Sequence, residues 1–308
     1  MGLRIRTNIT SLVAQRHLSS ATKNIQKISE RLSSGYRVNK GADDAAGLAI
    51  SEVLKADIRS LNQARRNAND GVSLVEVAEG GLNEINNIMI RLRELGVQAA
   101  SDTIGARERK YLNEEFMALK DEIDRIALST EYNGTRLLTG KAEVPDELLA
   151  DHSYSPLEVQ VGKDYYLSTD SVEAQNPVNV IRLNLGHLNA LTEGEGSLNL
   201  GNTQNEDGTK VDTKESAQLT INQLDQAMQA VAKYRADLGA IQNRLESTDR
   251  NLSIQTEMLG NAKSRIKDAD FAAESAKLTQ QSILQQAGAS VLTQANQFPQ
   301  VALKLLQG

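Results

Sequence analysis

The sequence of 308 residues contains no cysteine and no tryptophan, which excludes a disulfide framework, thiol catalysis and thiolate metal sites. Aromatic residues make up only 3% of the chain, so any core must be assembled from aliphatic and small side chains, as happens in long helices packed along seams. Only four prolines occur, and three of them, Pro145, Pro156 and Pro177, fall in one central stretch. No segment approaches the roughly 20 consecutive apolar residues of a membrane span, so no membrane insertion is expected. The first residues, MGLRIRTNITSLVAQRH, lack the continuous apolar run and small-residue cleavage site of a secretory signal peptide.

Concentrated positive charge is also missing. A net charge of -6 argues against nucleic acid as a partner, because neutralising phosphates takes clustered Lys and Arg. Residues 1 to 42 do carry eight cations against the single anion Glu30, a local charge of +7. No aromatic alternates with those cations, and Leu12, Leu18, Ile25, Ile28 and Leu32 recur at helical spacing, so the arm reads as a helix with a solvated basic face.

Catalytic patterns are absent as well. His17, His152 and His187 are scattered, and none belongs to an H-E-x-x-H helix or a ligand cluster. No Gly-x-Ser-x-Gly elbow is present. GEGS at 194 to 197 and the pair Gly80 and Gly81 lack the lysine and the strand-loop-helix setting of a phosphate-binding loop. Asp43 and Asp44, just before a long helical pattern, suit capping of its amides and pairing with Arg37 or Lys40 rather than acid-base chemistry. No catalytic, cofactor-binding or metal-binding residue is therefore assigned, and no cofactor is expected.

Helical periodicity dominates what is present. From Leu54 through Leu61, Ala68, Val75, Leu82, Met89 and Leu92 to Ala99, apolar or small residues return every three or four positions, the mark of a helix buried along one seam. A second helix is predicted from about Ala106 to Leu128, with Tyr111, Leu112, Phe116, Leu119, Ile123 and Ile126 inward. Leu224, Val231, Leu238, Leu245, Leu252, Leu259 and Ile266 are spaced seven apart without exception, and residues 271 to 306 continue a helical pattern. Between the arms, alternation at 157 to 161 and 178 to 185 predicts two short strands, and GNTQNEDGTKVDTKES at 201 to 216 reads as an exposed loop.

Six segments in order resemble the bacterial flagellin family: LSSGYRVNKGADDAAGLAIS (32 to 51), RLRELGVQAA (91 to 100), EIDRIALSTEYNGTRLLTG (122 to 140), RADLGAIQNRLES (235 to 247), NAKSRIKDADFAAES (261 to 275) and VLTQANQFPQVALKLL (291 to 306). The resemblance implies a mainly α fold, a long antiparallel helical hairpin or coiled-coil bundle formed by the N- and C-terminal arms, with a small central β-hairpin region. It further implies an inner coiled-coil domain from 1 to 42 and 265 to 308, a helical shell from 43 to 140 and 215 to 264, and a β-hairpin region with an exposed loop from 141 to 214, with no large outer domain. The implied function is structural: polymerisation into the flagellar filament outside the cell, after export in an unfolded state through the flagellar type III channel. Implied partners are further copies of the chain, an export chaperone at the C-terminal arm, the filament cap and the hook-filament junction proteins. Arg91, Leu95 and Glu115 match positions read in some relatives by a host Toll-like receptor, and equally suit contacts between subunits. Both terminal arms are expected to order only on assembly, since their stripes have nothing to pack on in a lone chain.

Overall fold

The computed structural model describes residues 8–140, 157–164, 179–184, 188–193, 197–201 and 208–307, with side chains described as far as 297. Its elements are α1 (Ile9–Ser34), α2 (Ala45–Ala99), α3 (Ala106–Ser129), β1 (Glu131–Tyr132), β2 (Thr135–Arg136), β3 (Leu157–Gln160), β4 (Val180–Leu183), α4 (Lys214–Lys267) and α5 (Phe271–Gln307). Two compact units divide the chain: residues 1 to 58 with 257 to 308, and residues 59 to 256. Helices α2 and α4 each contribute to both.

In the first unit, α1 and α5 pack on one another. Asn8 caps α1 by accepting from the Ser11 amide, and Gly35 ends it with φ 74, a left-handed conformation that costs glycine nothing. Helix α2 starts where Asp44 Oδ1 accepts from the Gly47 amide at 2.9 Å, the capping role read from the sequence. Asp43 behaves differently from that reading. It accepts from the Asn39 and Lys40 amides and pairs with Lys27 at 2.7 Å. Lys40 instead meets Glu30 at 2.7 Å, and the Arg37 guanidinium donates to the Ile266 carbonyl at 2.9 Å.

The second unit has one apolar core. Helix α2 contributes Val75, Leu82, Ile85, Met89, Leu92 and Leu95, α3 contributes Phe116 and Ile123, and α4 contributes Leu224, Val231, Leu238 and Leu245. The heptad series is buried from Leu224 to Leu252, while Leu259 and Ile266 are half-buried. Ion pairs flank the packed faces of α2 and α4: Arg65 to Asp249 at 3.0 Å and Arg93 to Asp225 at 2.7 Å. Tyr111, read from the sequence as inward on α3, is exposed. Phe116 and Ile123 are buried and Leu112, Leu119 and Ile126 pack against the core as read, and the inner face of α3 also includes Lys120 and Ala127.

Strands β3 and β4 pair antiparallel with Leu157 opposite Leu183 and Val159 opposite Ile181, close to the two stretches predicted. The hairpin β1–β2 was not foreseen, although Asn133 (φ 52) and Gly134 (φ 79) form the Asn-Gly turn that two-residue hairpins require. The nonhelical chain after β4 is held by polar side chains along α3. Asp124 accepts from the Thr192 amide and hydroxyl, both at 2.8 Å. The Asn113 side chain accepts from the Val211 amide at 2.9 Å, and Lys120 Nζ donates to the Leu200 carbonyl at 2.9 Å. Thr209 and Val211 are consequently buried, which corrects the exposed-loop reading for that part of 201 to 216. Residues 202–207 of that loop, and Pro145, Pro156, Pro177, His152 and His187, lie outside the described residues.

Candidate assembly surface

The pairing of α1 with α5 rests on a narrow seam. Ala14, Ala21 and Ile28 are the buried residues of α1, and Glu274 and Ala295 are buried on α5. Alanine at these positions lets the backbones approach, but it removes little apolar surface from water. Polar contacts occupy much of the remainder: Asn8 Nδ2 donates to the Ala295 carbonyl at 2.8 Å, the Ser11 hydroxyl to Asn296 Oδ1 at 2.8 Å, and Gln285 Nε2 to the Thr22 hydroxyl at 3.1 Å.

Large apolar side chains on the same helices are left in solvent. Ile9, Leu12 and Val13 on α1 and Phe271, Ile283, Leu284 and Val291 on α5 are all exposed, Leu12 to 60% and Leu284 to 51%. Leu12 had the helical spacing of a seam residue, yet the seam passes through Ala14, two residues on and about 200° around the helix, so Leu12 faces away from it. Uncovered apolar residues of this size, repeated along two paired helices, define surfaces that other protein must cover. The second unit has such residues as well: Val97, Tyr111 and Leu219 are exposed.

The positions singled out for receptor contact separate in the structure. Arg91 bridges Glu115 at 2.9 Å and Glu94 at 3.0 Å on the surface, whereas Leu95 is fully buried in the core. His17 is exposed on α1. The Asp43 carboxyl is held down at about 2, first by its hydrogen bond from Lys27 and then by the two backbone amides that it accepts. This is a structural carboxylate at a chain turn. Among the described residues, no group of three or more His, Cys, Asp or Glu side chains could hold a metal ion. No helix of the described residues is long and apolar enough to cross a membrane.

Two features escaped the sequence. Lys120 is completely buried within the apolar face of α3, and nothing in the spacing of charged residues distinguishes it from its exposed neighbours. The turns between α1 and α2 and between α4 and α5 are laced by Arg37 N to Lys267 O at 2.7 Å and Ala269 N to Gly35 O at 2.9 Å. Such a pairing joins residues far apart in the chain and has no local pattern.

Long seam-packed helices from both ends of the chain, with apolar surface left uncovered, define a helical self-associating structural protein. Residues 5–143 match the family model described as the bacterial flagellin N-terminal helical region, and residues 221–306 match the bacterial flagellin C-terminal helical region; the chain belongs to the bacterial flagellin family. It is 40% identical over 316 residues to the flagellin of Bacillus subtilis, covering 99% of this chain and all of that one. It is 38% identical over 304 residues to flagellin FlaB2 of Treponema pallidum, covering 98% of this chain and 99% of that one. The crystal structure of Bacillus cereus flagellin aligns with 61% of this chain and 88% of that one, at 29% identity and a TM-score of 0.44. The chain is accordingly a structural protein rather than an enzyme. It is a self-assembling subunit of the bacterial flagellar filament, which lies outside the cell and serves motility. Only residues 141 to 213 lie between the β1–β2 region and α4, the short form without a large outer domain.

Proposed function

We propose that residues 1 to 42 and 265 to 308 form the innermost layer of the filament, that 43 to 140 and 215 to 264 form a helical shell around it, and that 141 to 214 face outward. One observation carries this assignment: the α1–α5 pair leaves Ile9, Leu12, Val13, Ile283, Leu284 and Val291 uncovered. Neighbouring subunits would supply the missing cover, removing several large side chains per chain from water at roughly 1.5–3 kcal/mol each. The thinness of the seam also favours arms that order on assembly, because two helices joined mainly through alanines and polar groups gain little to offset their ordering entropy.

Seeded growth followed by electron microscopy tests the proposal. Ile283→Asp with Leu284→Asp should abolish elongation while leaving the monomer's helix content near that of the parent, since both side chains are already exposed. Normal filaments from that variant would sink the assignment of α5 to a buried layer. Proteolysis of dilute monomer should trim both arms to a resistant central part, whereas filaments should resist.

The chain would leave the cell unfolded through the flagellar type III channel, with a chaperone shielding the apolar C-terminal arm until export and a cap guiding insertion at the growing tip beyond the hook-filament junction. The absence of cysteine suits passage through a narrow channel, where a disulfide would be an obstacle. A host Toll-like receptor, where one is met, would read the exposed Arg91 and Glu115 pair. Leu95 would act there only through packing, because it has no exposed surface.

A further inference from the structure

We infer that the pair Arg31 and Glu274 sets the axial register of α1 against α5. Glu274 lies in the seam with only 4% of its surface exposed. Its Oε1 is 3.6 Å from Arg31 Nη1 and 2.9 Å from Lys277 Nζ. Lys277 sits on the same helix one turn away and travels with Glu274 in any sliding of α5, so only Arg31 reports where α1 stands.

The pair is poorly built for stability. Arg31 Nε and Glu274 Oε2 are both buried without a hydrogen-bond partner, and a desolvated, incompletely satisfied ion pair returns little or nothing relative to apolar side chains. Its value lies in what misalignment costs. The rest of the seam has few large side chains, with Ala14, Ala21 and Ile28 on one side and Gln285, Gly288 and Ala295 on the other, and its polar links from Asn8, Ser11 and Thr22 are exposed or only partly buried. Small and amide side chains accept many neighbours. A slip of one heptad, about 10 Å along the axis, would in one direction bring the uncharged Asn24 opposite Glu274, and in the other would carry Glu274 past Ser34, where α1 ends. In either case Glu274 keeps only Lys277 of its own helix and loses the cation that faces it across the seam, a state less favourable than the native pair. A polar group in an apolar seam that selects one alignment at some cost in stability is a known use of such residues.

Register matters to the proposed inner layer because the exposed stripes of the two arms must line up with those of neighbouring subunits. The inference rests on that reading, but its test has a separate readout. The chain has no cysteine, so introduced pairs report alignment cleanly. The Leu18 methyl lies 3.7 Å from where a Gly288 Cβ would sit, which makes L18C with G288C the native reporter. S11C with G288C and I25C with G288C report the two slips. Filaments are oxidised, and intrachain disulfide is read from the monomer band on a nonreducing gel.

In otherwise unchanged filaments the native reporter should crosslink and the slipped reporters should not. In the background Arg31→Met with Glu274→Leu, the slipped disulfides should rise about tenfold relative to the native one, as expected when the residue selecting one seam alignment is lost. Exclusive native crosslinking in that background overturns the inference. Should the apolar variant form no filaments, the exchange Arg31→Glu with Glu274→Arg decides. Filaments with native crosslinks support the inference, and failure to assemble overturns it. Failure of the parent chain to polymerise at all would refute the assembly reading instead.

Discussion

The Lys267 ammonium stands 5.0 Å from the centre of the Tyr36 ring, and the Lys267 carbonyl accepts the Arg37 amide at 2.7 Å. One residue at the end of α4 thus holds the start of the α1–α2 turn from both its side chain and its backbone. Lys267 also reaches Glu52 at 3.1 Å, so the clasp includes the first turns of α2. Arg37 completes it by donating to the last carbonyls of α4, where the helix dipole favours a cation.

Arg37→Ala should loosen this clasp at a cost of about 1 kcal/mol, the worth of a charge-assisted bond at an exposed helix end. Hydrogen exchange should show faster loss of protection at the amides of Val38 and Ala269, with no change around Leu238. Unchanged exchange at those two amides would mean that the backbone pairing stands without the guanidinium.

Adjacent glycines in α2 should respond in opposite directions. A Cβ at Gly80 meets nothing within 4 Å, so Gly80→Ala should stabilise by about 1 kcal/mol through helix propensity alone. At Gly81 the same carbon would lie 2.7 Å from Thr130 Oγ1 and 2.8 Å from Leu138 Cδ1, and Gly81→Ala should destabilise by roughly 1–3 kcal/mol. Denaturant midpoints of the two variants check the sign. Equal effects would place the β1–β2 region away from α2.

Leu238→Asp or Leu245→Asp should destabilise the second unit by about 3–5 kcal/mol, since each side chain is fully buried and its replacement strands a carboxylate in the core. Leu219→Asp on the same helix should change monomer stability by no more than about 0.5 kcal/mol, because Leu219 is exposed. Thermal melts followed by helix content separate the two classes.

Lys120 supplies a pH dependence. Burial pushes its ammonium down from the usual 10.5 to about 8, against the attraction of Asp124, Asp121 and Glu193 and with a smaller contribution from Lys210. The unfolded chain therefore binds more protons than the folded one between those values. The cost of burying the cation is fully present below about 8, and stability from this group rises as pH passes from about 8 to 10.5. Comparison of the parent with Lys120→Met at about pH 7 and about pH 10 should show the parent gaining on the variant at the higher pH. A constant difference would mean that the buried amine does not titrate in this window.

The helices were legible in the sequence because their cause is local. Seven-residue spacing from Leu224 to Leu252 places those side chains on one stripe wherever the helix lies, and the structure buries all five. The alternation around Val159 and Ile181 likewise placed two strands, and six ordered segments carried the family. What covers each stripe is not local. Leu12 and Tyr111 had the spacing of inward residues and are exposed, because the surfaces packed on α1 and α3 cover Ala14 and Phe116 and do not extend to them. Lys120 is buried because Leu200 and Thr209 bring carbonyls to it from 80 or more residues away, and Arg31 meets Glu274 only because the two ends of the chain lie side by side. Periodicity determines that a face exists; only the packed structure, through which surfaces exclude water from one another, decides which face is used and which buried charges find a partner.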